Sequence, residues 1–406
     1  MKIAYITAHA PFGRGETFVM EEMLAVAELG VELIIVPRNP SKEVFHNMAQ
    51  QLLDRAIWLP LFNWQIVFSF LKTAALNPRL WKILGRILRH SRTLKILIKN
   101  LAVAPKAVFI ADLLRQAGVE HIHAHWGSTT ATMAWIASEL TGIPWSVTLH
   151  RWDITEDNML KLKVKQAAFV RCISEDGRRE VLHIVGEVHR DKVKVLHMGV
   201  RLPGTPLPQF RPPRPDFVIA CPANLVPKKG HRFLIEACGW LKERGVRNFR
   251  CLIIGDGPLE AELRQQVAEL GLEEVVKFMG RLPHGELMRM YKQGEVDAVV
   301  LPSIVTDDGE KEGVPVALME AMAYGIPVVS TNTGGIPELL SNGAGMIVRE
   351  KDGRHLADAV ERLIEDEKLA REIGERGRRK VDEEFNLHKN VNLLVKMIKG
   401  ERLGGQ

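Results

Sequence analysis

Two glutamates eight positions apart, Glu312 and Glu320, stand in a stretch that is otherwise small and apolar, EKEGVPVALMEAMAYGIPVVSTNTGGIPEL from Glu310 to Leu339. Pro315 suits a first helical position, where its missing N–H is not needed, and Val316–Ala323 then reads as a helix apolar nearly all round. Inside such a helix the Glu320 carboxylate is costly unless something donates hydrogen bonds to it, and ligand hydroxyls are suitable donors. Gly325 and Pro327 end the helix, Val328–Ser330 has strand composition, and Thr333-Gly334-Gly335 opens another short helix at Pro337. A glycine turn at a helix start presents free backbone N–H groups of the kind that bind phosphate oxygens.

Four other groupings hold residue types that do chemistry. Asn224-Leu225-Val226-Pro227-Lys228-Lys229-Gly230 follows a strand-like run and sets two cations in a loop. Preorganised cations stabilise charge developing on a departing group, although two lysines alone are ordinarily just solvated. Gly255-Asp256-Gly257-Pro258 follows a strand and opens a helix, either as a phosphate turn or as an ordinary connection. His150-Arg151-Trp152-Asp153 closes a strand, where ligands of open parallel sheets bind, and Asp153 is spaced to orient the imidazole or to accept from a hydroxyl. His125 and Trp126 close the run HIHAHWG, His121–Gly127. Its three alternating histidines share one strand face with no matching carboxylate nearby in the sequence, so metal binding is not expected.

Taken whole, the run EGxPxxxxEAMAxGxPVVxTxxGGxPEL resembles the donor-binding segment of the family 4 retaining glycosyltransferases. That resemblance implies the GT-B fold, an α/β architecture of two Rossmann-like doubly wound domains facing across a cleft. It implies that Glu312 reaches the hydroxyls of the donor sugar, that Glu320 holds the ribose, and that Gly334 and Gly335 touch the diphosphate. Family members carry Arg-x4-Lys-Gly on the diphosphate; Lys229 keeps the lysine, but Asn224 stands where the arginine is expected. Losing one donor in such a site costs about 3–4 kcal/mol of transition-state stabilisation, unless Lys228 or another arginine compensates. Gly255 and Gly257 fall near the nucleotide, and His150 matches the histidine that hydrogen-bonds the donor sugar. His125 and Trp126 resemble the HAHW segment of the exopolysaccharide branch.

In that branch a loop reading SETF lies by the donor phosphates; here it is Gly15-Glu16-Thr17-Phe18, which keeps a backbone N–H and loses a hydroxyl. His197-Met198-Gly199-Val200 also fits the branch, with Arg201 in place of its usual aspartate. The resemblance covers nearly the whole chain outside residues 55–111 and is strongest to transferases of colanic-acid type. It implies transfer, with retention, from a UDP- or GDP-sugar to a lipid-linked or growing polysaccharide, with no cofactor and no metal. The chain also lacks the Asp-x-Asp pair that metal-dependent GT-A transferases use. Asn224 keeps open a catalytically silent nucleotide-sugar- or glycan-binding homologue, and the fold keeps open a sugar-nucleotide epimerase or phosphorylase.

These residues need a frame of adequate size. At 406 residues the chain is long enough for two domains. A net charge of +6 leans basic, which favours phosphorylated ligands, anionic lipid or nucleic acid. The charge is concentrated: Arg55–Ala111 holds ten Lys or Arg residues and no Asp or Glu. Within it Leu80, Ile83, Leu84, Ile87 and Leu88 recur at helical spacing, with Arg79, Lys82, Arg86 and Arg89 as a second stripe. Trp58, Trp64, Trp81, Phe62, Phe68 and Phe70 add the aromatic residues that sit at lipid headgroups. A basic amphipathic helix of this kind reads as an element on an anionic membrane surface; no recognition motif supports nucleic acid. Cys172, Cys221, Cys238 and Cys251 have no zinc-like spacing and read as buried free thiols of a reducing compartment. The N-terminal apolar run is too short for a signal peptide, and no uncharged apolar stretch reaches the roughly 18 residues of a span. The expected location is cytoplasmic, peripheral to the inner face of the cell membrane.

Strand-like and helix-like segments alternate from Ile3 to Leu196, then restart at Phe217. Between them LPGTPLPQFRPPRPD, 202–216, has six prolines in fifteen residues, a density that excludes regular structure and marks a linker. The expected organisation is an acceptor-binding domain over 1–202, a linker over 203–216, a donor-binding domain over 217–385, and a C-terminal helix and tail over 386–406. Helices are expected from Thr17, Pro105, Ser128 and Ser174 in the first half.

Overall fold

The structure is a computed structural model that describes residues 1–11, 16–41, 44, 47–204 and 214–401. It divides into two compact units, Met1–Met198 with the segment from Leu387 on, and Gly199–Asn386.

In the first unit β1 (Lys2–Thr7), β2 (Glu32–Pro37), β3 (His121–His125), β4 (Trp145–Leu149), β5 (Phe169–Cys172) and β6 (Val193–Val195) form one parallel sheet, ordered β2-β1-β3-β4-β5-β6. Parallel strands are covered on both faces and so are almost continuously apolar. The strand that departs most from this is β3, His-Ile-His-Ala-His, which is buried at all five positions. The intervening helices are α1 (Thr17–Glu28), α2 (Gln50–Leu53), α3 (Trp64–Leu76), α4 (Pro78–His90), α5 (Leu94–Gln116), α6 (Thr129–Thr141), α7 (Arg151–Glu156), α8 (Leu160–Gln166) and α9 (Glu175–Val185). Side chains of Asn63, Asn77 and Thr93 accept the N–H groups of Ile66, Arg79 and Ile96, so each helix of the basic section starts at its own cap.

Two expectations need correction. The helix expected from Pro105 begins eleven residues earlier, at Leu94, and carries Pro105 inside it. That proline removes the bond to the Leu101 carbonyl, on a turn whose Leu101 side chain is half exposed to water. In the amphipathic helix α4, Leu80, Ile83 and Ile87 are buried in the unit's own core, whereas Leu88 is exposed. Arg86 leaves the basic stripe: it pairs with Glu139 at 2.8 Å and lies 5.0 Å over the Trp135 ring.

The second unit repeats the plan. β7 (Phe217–Pro222), β8 (Phe249–Ile254), β9 (Val276–Gly280), β10 (Ala298–Leu301), β11 (Val328–Thr331) and β12 (Met346–Val348) are ordered β12-β11-β10-β7-β8-β9, with parallel pairing throughout. Its helices are α10 (His231–Glu243), α11 (Glu260–Glu269), α12 (His284–Lys292), α13 (Val316–Ala323), α14 (Ile336–Leu339), α15 (Gly353–Glu365) and α16 (Glu367–Glu384). The last helix, α17 (Leu387–Ile398), is part of the first unit: Leu387, Val391, Leu394, Val395 and Ile398 join the cluster formed by Val19, Met23 and Val26 of α1. Of the proline-rich linker, 205–213 lies outside the described residues, and Arg214 holds both carboxylate oxygens of Asp297 at 3.0 Å. All four cysteines are buried and unpaired. Among the described residues no helix is long and apolar enough to cross a membrane.

Strand order reverses between β1 and β3 in the first sheet and between β7 and β10 in the second. Beyond the carboxyl ends of strands at such a point, neighbouring loops part and leave a crevice for ligands.

Candidate active site

At the reversal point of the first unit, β3 ends in His125 and β4 is followed by His150. The two rings meet through His150 Nε2 and His125 Nδ1 at 3.4 Å. Trp126 lies against His150 with ring centroids 4.2 Å apart, and Phe18 of α1 closes another side at 5.3 Å. Trp126 holds φ at +78°, in the left-handed region that a bulky side chain rarely adopts, and its indole N–H is buried without a partner. Strain of that kind persists where surrounding structure enforces it, often at sites that bind or react.

Asp153 does not reach the imidazole. Its carboxylate accepts the backbone N–H of His150 at 2.9 Å and so closes the first turn of α7. Burial raises this carboxyl to about 7. Gly127 is pinned alongside, since a Cβ there would sit 2.5 Å from Leu149 and 3.1 Å from Asp153. Lys163 donates to the carbonyls of Gly127 and Ser128 at 2.8 Å. Asp153 thus shapes the turn that carries Trp126, rather than the ring of His150.

Behind His125 lies a residue that sequence reasoning missed. Glu22 of α1 accepts His125 Nε2 at 2.7 Å with one oxygen and pairs with Arg171 through the other. Although burial pushes the Glu22 carboxyl up, Arg171 and then His125 hold it well below the usual carboxylate range. A signal was present: Glu22 falls three residues after Val19 and four before Val26, on the apolar stripe of its helix. The expectation that no carboxylate meets the histidines is therefore corrected. Ligand atoms of Glu22, His123 and His125 lie within 4.8 Å of one another. Each already has a hydrogen-bond partner, however: Ser146 and Thr148 hydroxyls engage both nitrogens of His123 at 2.8 and 2.9 Å. Burial keeps His121, His123 and His150 below their usual range, His121 at about 4.

Gly15 lies outside the described residues. Glu16, expected beside donor phosphates, is instead turned into its own loop, accepting the N–H groups of His9 at 3.1 Å and of Ala10.

In the second unit the loops after β7 and β10 are interlocked. Gly230 has φ at +66°, and a Cβ on it would lie 2.0 Å from the Pro302 carbonyl oxygen, so only glycine allows that approach. The turn carries Lys229, which forms an ion pair with Glu312; Lys228 pairs with Glu310 at 2.6 Å. The glycines of the central run serve the same junction. A Cβ on Gly334, at φ +55°, would lie 1.9 Å from the Glu312 carbonyl oxygen, and the Gly335 N–H donates to Gly313 at 3.1 Å. They seat the Glu312 segment, and the Gly335 amide is not open to a diphosphate. Gly255 and Gly257 likewise give room to the 223–225 backbone, and the Gly255 N–H is taken by Gly280 at 2.8 Å. Asn224 is exposed at the edge of this junction.

Glu320 lies on α13. α13 is not apolar all round: Leu318, Met319 and Ala321–Ala323 are buried, while Val316, Ala317 and Glu320 form a half-exposed stripe, with Pro315 capping rather than opening the helix. Glu320 accepts His284 Nε2 at 2.7 Å. The structure therefore brings Lys229 and Glu312 together, and His125, Trp126 and His150 together.

Residues 208–380 match the family described as Glycosyl transferases group 1. The amylovoran biosynthesis glycosyltransferase AmsK of Erwinia amylovora is 30% identical over 433 residues, spanning 99% of this chain and all of that protein. WcaL of Escherichia coli, named for colanic acid biosynthesis, is 43% identical over 201 residues, 48% of each chain. Anabaena HepE, solved in complex with UDP, superposes with a TM-score of 0.72 at 18% identity over 98% of this chain and all of that one.

Proposed function

Because the chain belongs to the group 1 glycosyltransferases and has their GT-B fold, we propose that it moves a sugar from a UDP- or GDP-sugar to a lipid-linked or growing polysaccharide in exopolysaccharide biosynthesis. Transfer proceeds with retention and without a metal. The full-length likeness to an amylovoran transferase supports the pathway class. The observation that carries the donor reading is the Lys229–Glu312 pair at the reversal point of the second sheet. A cation there suits a diphosphate, and a carboxylate suits sugar hydroxyls. Arrival of the donor replaces one ion pair by two sets of ligand contacts. Neutral His150 supplies a hydrogen-bonding ring without adding charge. The test is a panel of UDP- and GDP-sugars in thermal melts, since a ligand that binds only the folded chain raises its Tm. At least one should raise it, with or without EDTA; a flat panel contradicts the reading.

The acceptor side includes a membrane surface. α3 exposes Trp64, Phe68 and Leu71, α5 exposes Leu94, Ile98 and Leu101 at the same spacing, and Trp64 is 88% exposed. The two helices pack on each other. Lys72, Arg79, Lys82, Arg89 and Lys95 are exposed and have no ion pair among the described residues. Apolar ridges with a basic surround fit an anionic bilayer interface. The protein should sediment with anionic vesicles and release with salt. Replacing Trp64 and Phe68 with Ser should weaken binding at least tenfold, from about 1.5–3 kcal/mol per buried aromatic side chain. Full recovery in the supernatant at low salt would reject this assignment.

A further inference from the structure

The face of the first sheet that α1 covers is unusually polar for a core. Most of its groups satisfy one another locally, as His121 and His123 do on Ser146. One run leads outward: Arg171 to Glu22, Glu22 to His125 Nε2, and His125 Nδ1 to His150 Nε2. Arg171 is tied down by the carbonyls of Leu196 at 2.6 Å and His197 at 2.7 Å. Arg171, Glu22, His125 and His150 come from β5, α1, the end of β3 and the loop after β4, and all four are buried.

We infer that Arg171, Glu22 and His125 are positioning residues that hold His150 in the tautomer with its proton on Nε2, so that Nδ1 offers a lone pair to a sugar hydroxyl. The argument is one of charge and of donor count. Glu22 supplies one negative charge and Arg171 one positive, so the dry cluster is balanced, and a second cation would stand uncompensated. His125 is then neutral and gives its single N–H to Glu22, which leaves its Nδ1 as an acceptor. Two facing lone pairs repel, so His150 must donate from Nε2, and a neutral imidazole then has its lone pair on Nδ1. Packing by the tilted rings of Trp126 and Phe18 keeps the ring from turning over. An outer partner that fixes the tautomer of a working histidine is a recurrent device.

The contact with a sugar hydroxyl rests on the transferase reading; the tautomer does not, and the experiment separates them. The full-length protein labelled with 15N-histidine is examined by long-range proton–nitrogen NMR near neutral pH, with His150→Gln identifying the His150 signals. The expected result is His150 protonated on Nε2 in the wild type. In Glu22→Gln and in His125→Leu that signal pattern should be lost, giving mixed tautomers. His125→Gln, whose amide oxygen can accept from Nε2, should restore it. For transfer, His125→Leu should lower kcat at least tenfold with donor KM changed less than threefold, and His125→Gln should recover most of the loss. A His150 protonated on Nδ1, a charged His150, or a pattern unchanged in His125→Leu would overturn the inference. The spectra need no substrate, so a wild type inactive on every donor tells against the transferase reading alone.

Discussion

Glu312→Ala and Lys229→Ala should each lower the rate of donor hydrolysis or transfer by at least about 100-fold, the loss typical when one preorganised group facing developing charge is removed. The two side chains form an ion pair and are each mostly buried, 13% and 17% exposed, so either substitution also leaves a partner without its counter-charge. The structural cost is small, because the pair sits in loops beyond the strand ends rather than in the core. Rates measured beside thermal melts decide the matter: activity should collapse while Tm moves by a few degrees. Wild-type rates in both variants would remove the donor assignment. Asn224 sharpens the expectation. Without a second fixed cation at that position, Lys229 bears more of the diphosphate charge, and Asn224→Arg should raise turnover rather than abolish it.

Acid should destabilise the fold steeply between pH 6.5 and about 4. His121 and His231 are each held at about 4 by burial, and His123 and His150 are also well below the usual range. In that window the unfolded chain binds protons that the folded chain refuses, so the contribution of these histidines is complete above 6.5 and falls with pH. A displacement of the size seen at His121 and His231 corresponds to about 3 kcal/mol each. Asp153 works the other way, since its raised carboxyl favours the folded chain at low pH and loses that advantage as pH climbs toward 7. One opposing group does not offset four. Urea melts at pH 7.5 and 5 should show the loss, and His231→Leu, which removes a buried ring with both nitrogens unpartnered, should flatten it. Equal stability at both pH values would contradict the burial of these rings as neutral groups.

Much of the frame was readable because parallel strands announce themselves: β1, β4, β7 and β10 are short, apolar and bounded by loops or glycine. What escaped notice did so for physical reasons. α7 and α8 are six and seven residues of mixed polarity, too short for a periodic signal. β12 has three residues. Pro105 looked like a helix start because proline favours the first turn, yet the helix tolerates it where the freed carbonyl lies by an exposed turn. Nothing along the chain told which unit α17 would cover, since an amphipathic helix fits any apolar face of the right width. For the site, Lys229 and Glu312 were singled out by the resemblance, and His125 and His150 by their place after strands. Partnership was not legible: that Glu312 meets Lys229, that Glu16 and Gly335 are spent on their own backbone, and that Glu22 lies 103 positions from the histidine it holds.

The most direct measurement is a calorimetric titration of the best UDP- or GDP-sugar from the melting panel into wild-type and Lys229→Ala protein. One site per chain, weakened at least tenfold by loss of the lysine, is the predicted result. Equal affinity in the two proteins would contradict a nucleotide diphosphate gripped at the end of β7.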